Sequence, residues 1–489
     1  IINGLGNMNG AILDCGGGVV ENNDNTKILK RNGIVIWLKA PVKVLAERIK
    51  NTKNRPSITG KKSFVDEIGE VLERRMPLYK NAADFEVETG NKSPDQSARA
   101  ILELSKNQMK TGICAVITAD NEKDALNDIK KAASADLIEL RVDFIKNVGK
   151  KDIQSLLKNK TKKTIVTCRP IRLGGLFKGT EKDRLELLKT SIDRGADFID
   201  MEFQTEIVNK IINNKPNSKI IISHHDFKET PSLKILNSLY AEIRKLNPDL
   251  IKIVTTANSI NDNFKIFEFL ERKNDLIAFC MGQKGEISRI LAPKFGSKIT
   301  YCSLNKRKES ASGQITIGEM QRLYHAHLIN KNTKVIGIMG EFAENSMSKY
   351  MHNPNFAKNS LNFVYVPFKA ANNELGEFMD NFRKFSFKGA AVTIPHKEEI
   401  IKYADELDET AKQIGAINTL VNDNGKITGY NTDYYGAVMA LKEATDITNK
   451  KALVLGAGGA ARAVVYGLKK EGALITIVNR TDAKTSKLA

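Results

Sequence analysis

Between residues 111 and 330 the chain alternates short apolar runs with longer stretches whose apolar positions recur every three or four residues. The short runs fall at 113–118, 137–143, 164–169, 198–203, 219–226, 250–256, 276–281 and 299–304. Each is rich in Ile, Val and Leu, which predicts strands buried on both faces, and the longer stretches between them predict helices. Eight strand–helix units over this length predict a (β/α)8 barrel. Before the barrel lies a strand at 34–38 with a helical run around residues 46–48. After a short polar link at 330–333, a further strand begins at Lys334, and a strand, glycine turn and helix start occupy 451–463. The expected fold class is therefore α/β and multidomain, with units at 1–108, 111–330, 334–436 and 437–489.

Composition narrows the function classes. At 489 residues the chain exceeds one ordinary domain, and 41% hydrophobic with 27% charged residues describes a soluble globular protein. No run of about 18 apolar residues occurs, so no membrane span is expected. Five scattered cysteines without a CxxC pair argue against a disulfide framework or a zinc site, and suit the cytoplasm. The net charge of +19 is spread through every segment without an Arg-rich arm, which favours small anionic substrates over nucleic acid. The first residues, Ile1-Ile2-Asn3-Gly4, carry neither an initiator methionine nor a signal-peptide pattern, so the chain is expected to be a fragment of a longer one.

The candidate chemistry centres on Lys252, inside the apolar run 249–256. A lysine there either snorkels from a strand end or is buried. If buried without a partner, desolvation favours its neutral amine, the nucleophile that forms a Schiff base with a ketone. Polar residues crowd the C-terminal ends of the other runs, where a barrel keeps its active site. They are Glu139 and Arg141, Arg169, His224 and His225, Arg289, and the loop Ser310-Ala311-Ser312-Gly313-Gln314.

Residues 111–330 resemble type I 3-dehydroquinate dehydratase. The resemblance implies that Lys252 forms an imine with the ketone of 3-dehydroquinate and that His225 moves the proton. It implies that Glu139 and Arg141 hold substrate hydroxyls and position His225, that Arg169 binds substrate, and that Arg289 clamps the carboxylate with Ser310 and Gln314 as a lid. No cofactor is expected there, and His224 is expected to pack rather than react. Leu173 stands where the family usually has a glutamate.

Residues 1–108 carry Gly16-Gly17-Gly18, Arg48, Arg55 and Arg75, and resemble the C-terminal two-thirds of a shikimate kinase. Gly16, Gly17, Gly18 and Arg75 would bind shikimate, and Arg48 and Arg55 would serve ATP. No GxxxxGK[ST] phosphate loop occurs in the chain, so kinase activity is not expected of it.

Residues 334–489 carry Asn345-Ser346-Met347-Ser348, Thr393-Ile394-Pro395-His396-Lys397, Asn418 and Asn431-Thr432-Asp433, followed by Gly456-Ala457-Gly458-Gly459-Ala460-Ala461. The last fits the G-x-G-x-x-G/A dinucleotide fingerprint in its strand–turn–helix context. After the next strand stands Asn479-Arg480-Thr481, and an arginine there favours the 2′-phosphate of NADP over a free ribose hydroxyl. This region resembles shikimate dehydrogenase, with a lysine, Lys349, in place of the usual proline. The resemblance implies that Lys397 and Asp433 handle the proton, that Ser346, Ser348, Thr393 and Asn418 bind shikimate, and that Gly456, Gly458, Gly459, Ala460, Asn479, Arg480 and Thr481 bind NADP(H).

In order, these pieces match the C-terminal half of the pentafunctional aromatic-synthesis polypeptides. The expected function is dehydration of 3-dehydroquinate coupled to NADPH-dependent reduction of 3-dehydroshikimate, by a homodimer or part of a larger polypeptide. Two alternatives stay open: another Schiff-base barrel such as an aldolase, and a partly non-catalytic scaffold.

Overall fold

The computed structural model describes residues 12–32, 34–50, 67–83, 85–108, 111–212 and 216–488. It divides into two compact units, Ile1–Lys110 and Thr111–Ala489. In the first unit, β1 (Ile36–Lys39) and β2 (Phe85–Glu88) pair in parallel. Lys39 at the end of β1 ties them by ion pairs to Glu86 (2.9 Å) and Glu88 (3.0 Å). Trp37 of β1 stacks on Tyr79 of the helix Ile68–Ala82 at 5.3 Å between ring centres.

The second unit opens with all eight barrel strands: β3 (Gly112–Ile117), β4 (Leu137–Arg141), β5 (Lys163–Thr167), β6 (Phe198–Glu202), β7 (Lys219–His225), β8 (Leu250–Thr256), β9 (Leu276–Met281) and β10 (Ile299–Ser303). They form one parallel sheet in the order β10-β3-β4-β5-β6-β7-β8-β9. The seam between β9 and β10 is bridged by Lys298 N donating to Leu276 O at 3.0 Å and by Ala278 N donating to Ser297 Oγ at 3.2 Å. Outward-facing Ile138, Leu140, Val166, Ile199, Met201, Ile222, Ile251 and Ile253 are buried against the helices, as a parallel sheet covered on both faces requires.

Inside the barrel, residues alternate inward along each strand, and their chemistry changes from one layer to the next. Leu137, Ile165, Phe198, Ile221, Leu250, Ile277 and Ile299 form an apolar floor. One layer toward the strand C-termini stand Glu139, Thr167, Asp200, Ser223 and Lys252 on β4 to β8, facing Phe279, Tyr301, Cys114 and Val116 on β9, β10 and β3. One wall is thus charged and the other apolar.

A second sheet follows: β11 (Lys334–Gly340), β12 (Phe363–Lys369), β13 (Gly389–Val392), β14 (Glu406–Leu407), β15 (Thr419–Asp423) and β16 (Lys426–Tyr430), in the order β12-β11-β13-β15-β16-β14. Its β15–β16 hairpin turns at Asn424-Gly425 with φ of 53° and 99°, a turn that asparagine and glycine tolerate. A last parallel pair, β17 (Lys451–Leu455) and β18 (Leu474–Val478), flanks the helix Gly459–Lys470. Among the described residues no helix is long and apolar enough to cross a membrane.

The barrel and the second sheet share one apolar core. Phe264, 2% exposed on the helix after β8, meets Phe378, Phe385 and Phe387 at 5.9, 5.3 and 5.6 Å between ring centres. Around this cluster Asn261 donates to Glu374 O (3.1 Å), and Lys284 and Lys384 pair with Glu374 and Glu268, each at 2.5 Å. Phe264→Ala should cost about 3–5 kcal/mol by opening a cavity between two domains. Thermal denaturation is expected to show a lowered midpoint for both domains together.

Candidate active sites

Lys252 lies at the centre of the charged wall, 3% exposed. Its Nζ donates to Asp200 Oδ2 at 2.9 Å and to Glu139 Oε1 at 3.2 Å, and stands 4.0 Å from the centre of the Tyr301 ring. The expectation of an unpaired amine is therefore corrected: the lysine is held between two buried carboxylates. Thr167 and Ser223 hydroxyls fix those carboxylates, donating to Glu139 Oε1 (2.8 Å) and Asp200 Oδ1 (2.6 Å). Burial alone would raise the pKa of Asp200, but Lys252 and Arg169 beside it hold the carboxyl below its ordinary range.

His225 projects inward from the end of β7, whereas His224 points to the other face, as strand alternation dictates. Arg169 Nη1 lies 3.0 Å from His225 Nε2. A guanidinium only donates, so the imidazole nitrogen accepts there. This corrects the expectation that Glu139 and Arg141 position the histidine: Glu139 bonds Lys252 and Thr167, and Arg141 bonds Asp143 at 2.7 and 2.9 Å. Burial, reinforced by Arg169, Lys252 and Arg141, pushes the pKa of His225 well below the usual histidine value. The ring is therefore a neutral base at physiological pH.

Arg169 is itself held by Glu202 at 3.1 Å, and Glu202 also pairs with the fully buried Arg184, whose Nε donates to Cys168 O at 2.6 Å. Asp200, Glu202 and Arg184 are not among the residues that the sequence pattern singles out. Asp200 and Glu202 do carry a signal, since two acids spaced by two residues in the apolar run 198–202 must share one face. Leu173 sits half-buried in the turn before Gly174.

The opposite side of the cavity carries a buried cation. Arg289, 1% exposed, lies over the Phe279 ring at 4.4 Å, and its Nε has no hydrogen-bond partner among the described residues. Burial lowers its pKa to about 10, which leaves it a cation at neutral pH. Ser310 donates through N (2.9 Å) and Oγ (3.2 Å) to Gln314 Oε1, curling the loop over the same cavity. Gly313 (φ +75°) permits that curl, because a Cβ there would collide with Gly282 O.

A second constellation forms on the six-stranded sheet. Lys397 Nζ donates to Asp433 Oδ2 at 2.5 Å, and Asn418 Nδ2 donates to Asp433 Oδ1 at 2.8 Å. Ser346 Oγ donates to Ser348 Oγ at 3.0 Å, while Lys349 Nζ turns away to Glu344 O at 2.9 Å. Thr393, half-buried, closes over Gly340, where a Cβ would collide with its Cγ2.

The glycine turn meets this group. A Cβ on Gly459 would stand 2.7 Å from the Cβ of Lys397, so glycine there lets the helix start against the lysine. Gly456 adopts φ +118°, and a Cβ on Gly458 would meet nothing within 4 Å, which leaves the backbone N–H groups of the helix start accessible. Asn479 Nδ2 donates to Thr481 O at 2.9 Å, and Arg480 is exposed beside them.

In the first unit the Gly16–Gly18 turn and Arg75 do come together, with Arg75 Nε donating to Glu21 Oε1 at 3.0 Å and Tyr79 Oη donating to Gly17 O at 2.9 Å. Glu21 thus occupies the arginine, a pairing that no sequence pattern announces. Arg48 Nη2 donates to Thr89 O at 2.7 Å, and Arg55 lies outside the described residues.

Family models match four stretches: type I 3-dehydroquinase over 113–331, the shikimate dehydrogenase substrate binding domain over 338–420, shikimate / quinate 5-dehydrogenase over 438–489, and shikimate kinase over 1–106. The chain is 36% identical over 400 residues to a chloroplastic bifunctional 3-dehydroquinate dehydratase/shikimate dehydrogenase of Arabidopsis thaliana, covering 77% of this chain and 66% of that protein. It is 31% identical over 517 residues to the pentafunctional AROM polypeptide of Candida glabrata, covering 98% of this chain and 32% of the relative. The chain thus spans about two thirds and one third of the lengths of these relatives. The dehydroquinate dehydratase and shikimate dehydrogenase structure from S. pombe AroM aligns with 79% of this chain and 77% of its own, at 28% identity and a TM-score of 0.42. The chain is a homologue of the AROM polypeptides and of the bifunctional dehydratase/dehydrogenases, with a type I 3-dehydroquinase barrel at its centre.

Proposed function

We propose that the barrel dehydrates 3-dehydroquinate to 3-dehydroshikimate through a Schiff base on Lys252, and that the following domains reduce 3-dehydroshikimate to shikimate with NADPH. The observation that carries the dehydratase reading is a lysine buried between two carboxylates, with a neutral histidine on one side and a buried, incompletely bonded arginine on the other.

Arg289 anchors the substrate carboxylate, with Ser310 and Gln314 closing over it. Lys252 passes a proton to the neighbouring Glu139 carboxylate as its freed amine attacks the ketone; that proton then goes to the carbinolamine oxygen, which leaves as water, and Asp200 and Glu139 stabilise the iminium that remains. The iminium withdraws electrons and acidifies the adjacent carbon. His225 then takes that proton, which requires its Nε2 lone pair to be released from Arg169, and returns one to the departing hydroxyl as water leaves. Hydrolysis of the imine frees Lys252. Leu173 removes one carboxylate from the loop beside this pocket without touching the imine machinery.

In the dehydrogenase part, Lys397 and Asp433 handle the proton at the reacting oxygen, while Asn418, Thr393, Ser346 and Ser348 hold the ring acid. The open turn at Gly456, Gly458, Gly459 and Ala460 fits a pyrophosphate, and Asn479, Arg480 and Thr481 would take the 2′-phosphate of NADP. When bound, NADPH supplies the hydride. Contact between Gly459 and Lys397 brings the dinucleotide turn to the substrate lysine.

Borohydride reduction in the presence of 3-dehydroquinate should leave a mass adduct on Lys252 by peptide mapping, absent in Lys252→Ala, and that variant should lose dehydration by at least about a thousandfold. Dehydration without an adduct would overturn the imine mechanism. Because the base works as neutral imidazole and its folded pKa lies well below 6.5, activity should be fully present above that value and fall only as pH drops through the lowered pKa. A pH profile of kcat/KM should therefore place the acid limb under pH 6.5. Asp433→Asn is expected to weaken shikimate binding by roughly tenfold in calorimetric titration, since it removes the negative charge and leaves one acceptor oxygen for the two donors Lys397 and Asn418.

A further inference from the structure

Tyr301 sets a hydroxyl into the apolar wall of the barrel. Tyr301 enters from β10, is 3% exposed, and its hydroxyl is buried with no hydrogen-bond partner among the described residues. Phenylalanine would fill the same space without stranding a donor, so the hydroxyl weakens the empty site. The side chain lies between the two groups that would grip a keto acid. Its ring faces Lys252 Nζ at 4.0 Å, and it adjoins at 5.7 Å the Phe279 ring on which the Arg289 guanidinium rests. Tyr301 lines the same cavity as Glu139, Arg141, His225 and Gln314. Burial, with Glu139 next in effect, raises its pKa, so the phenol keeps its proton and remains a donor.

We propose that the Tyr301 hydroxyl is a substrate-binding group, a hydrogen-bond donor for a hydroxyl of the polyhydroxylated ring that finds its partner only when the cavity is filled. This deepens the dehydratase assignment and rests on it. On the charged wall, Lys252, Thr167 and Ser223 already engage the carboxylates Glu139 and Asp200. On the opposite wall, below the Arg289 guanidinium, Phe279, Cys114 and Val116 are apolar. Tyr301 gives that wall a directional contact, so a ring bound the wrong way round strands the hydroxyl again. A site built this way selects against analogues that lack the matching group.

The test is Tyr301→Phe, measured beside the unaltered chain. The KM for 3-dehydroquinate should rise roughly tenfold with kcat changed by less than about threefold, while borohydride still traps substrate on Lys252. The thermal midpoint of the unliganded variant should stay level or rise, because the variant removes an unsatisfied donor. An unchanged kcat/KM would show that the hydroxyl is idle and overturn the proposal. A lowered thermal midpoint would show that the hydroxyl serves the fold, and would overturn it equally. If the unaltered chain neither dehydrates 3-dehydroquinate nor forms the adduct, the dehydratase assignment falls and this proposal with it; failure confined to the variant sinks the proposal alone.

Discussion

The barrel depends on burying a cation and two anions together. Lys252, Asp200 and Glu139 are all buried, and each would be costly to desolvate alone. They are tolerable because three strands deliver them to one layer, with Thr167 and Ser223 completing the acceptors. Arg169, Glu202 and Arg184 extend the same alternation of sign outward. The network is stable only as a set. Removing one member leaves a buried charge without a partner, which is why the site is held in place before any substrate arrives.

That network also sets the electrostatics of the base. Burial, and after it the cations Arg169, Lys252 and Arg141, keep the imidazole neutral, while Arg169 occupies its lone pair. In the proposed dehydration, a substrate whose own groups compete for the arginine releases that lone pair. The asymmetry of the barrel interior works with this. Charge lines β4 to β8, and rings and aliphatic groups line β9, β10 and β3, so a ring with one carboxylate and several hydroxyls has a preferred face.

The dehydrogenase part solves a different problem, the close approach of two segments far apart in sequence. The helix start at Gly459 abuts Lys397, and only a residue without a Cβ permits the contact. The Lys397–Asp433–Asn418 group is likewise assembled from the end of β13, the start of β15 and the turn after β16. The shared phenylalanine cluster around Phe264 joins this sheet to the barrel and makes the two one folded body.

Periodicity alone determined the eight barrel strands, because a strand buried on both faces must be apolar at nearly every position, and such runs stand out from helical ones. The sequence likewise marked the glycine turn and the polar strand ends, since backbone geometry and barrel topology confine those residue types to those places. It did not reveal what each polar residue touches. For Lys252 the apolar run left burial and snorkelling open, and it did not show the pairing, because the partners lie 113 and 52 residues away. Arg169, rather than Glu139 or Arg141, meets His225, and Tyr301 looks like any aromatic core residue until its hydroxyl is found without a partner among the described residues. Local pattern reports which face a side chain occupies. Only the closed barrel, which brings distant strands within hydrogen-bonding distance in a low-dielectric interior, decides which charges meet and which donors are left waiting.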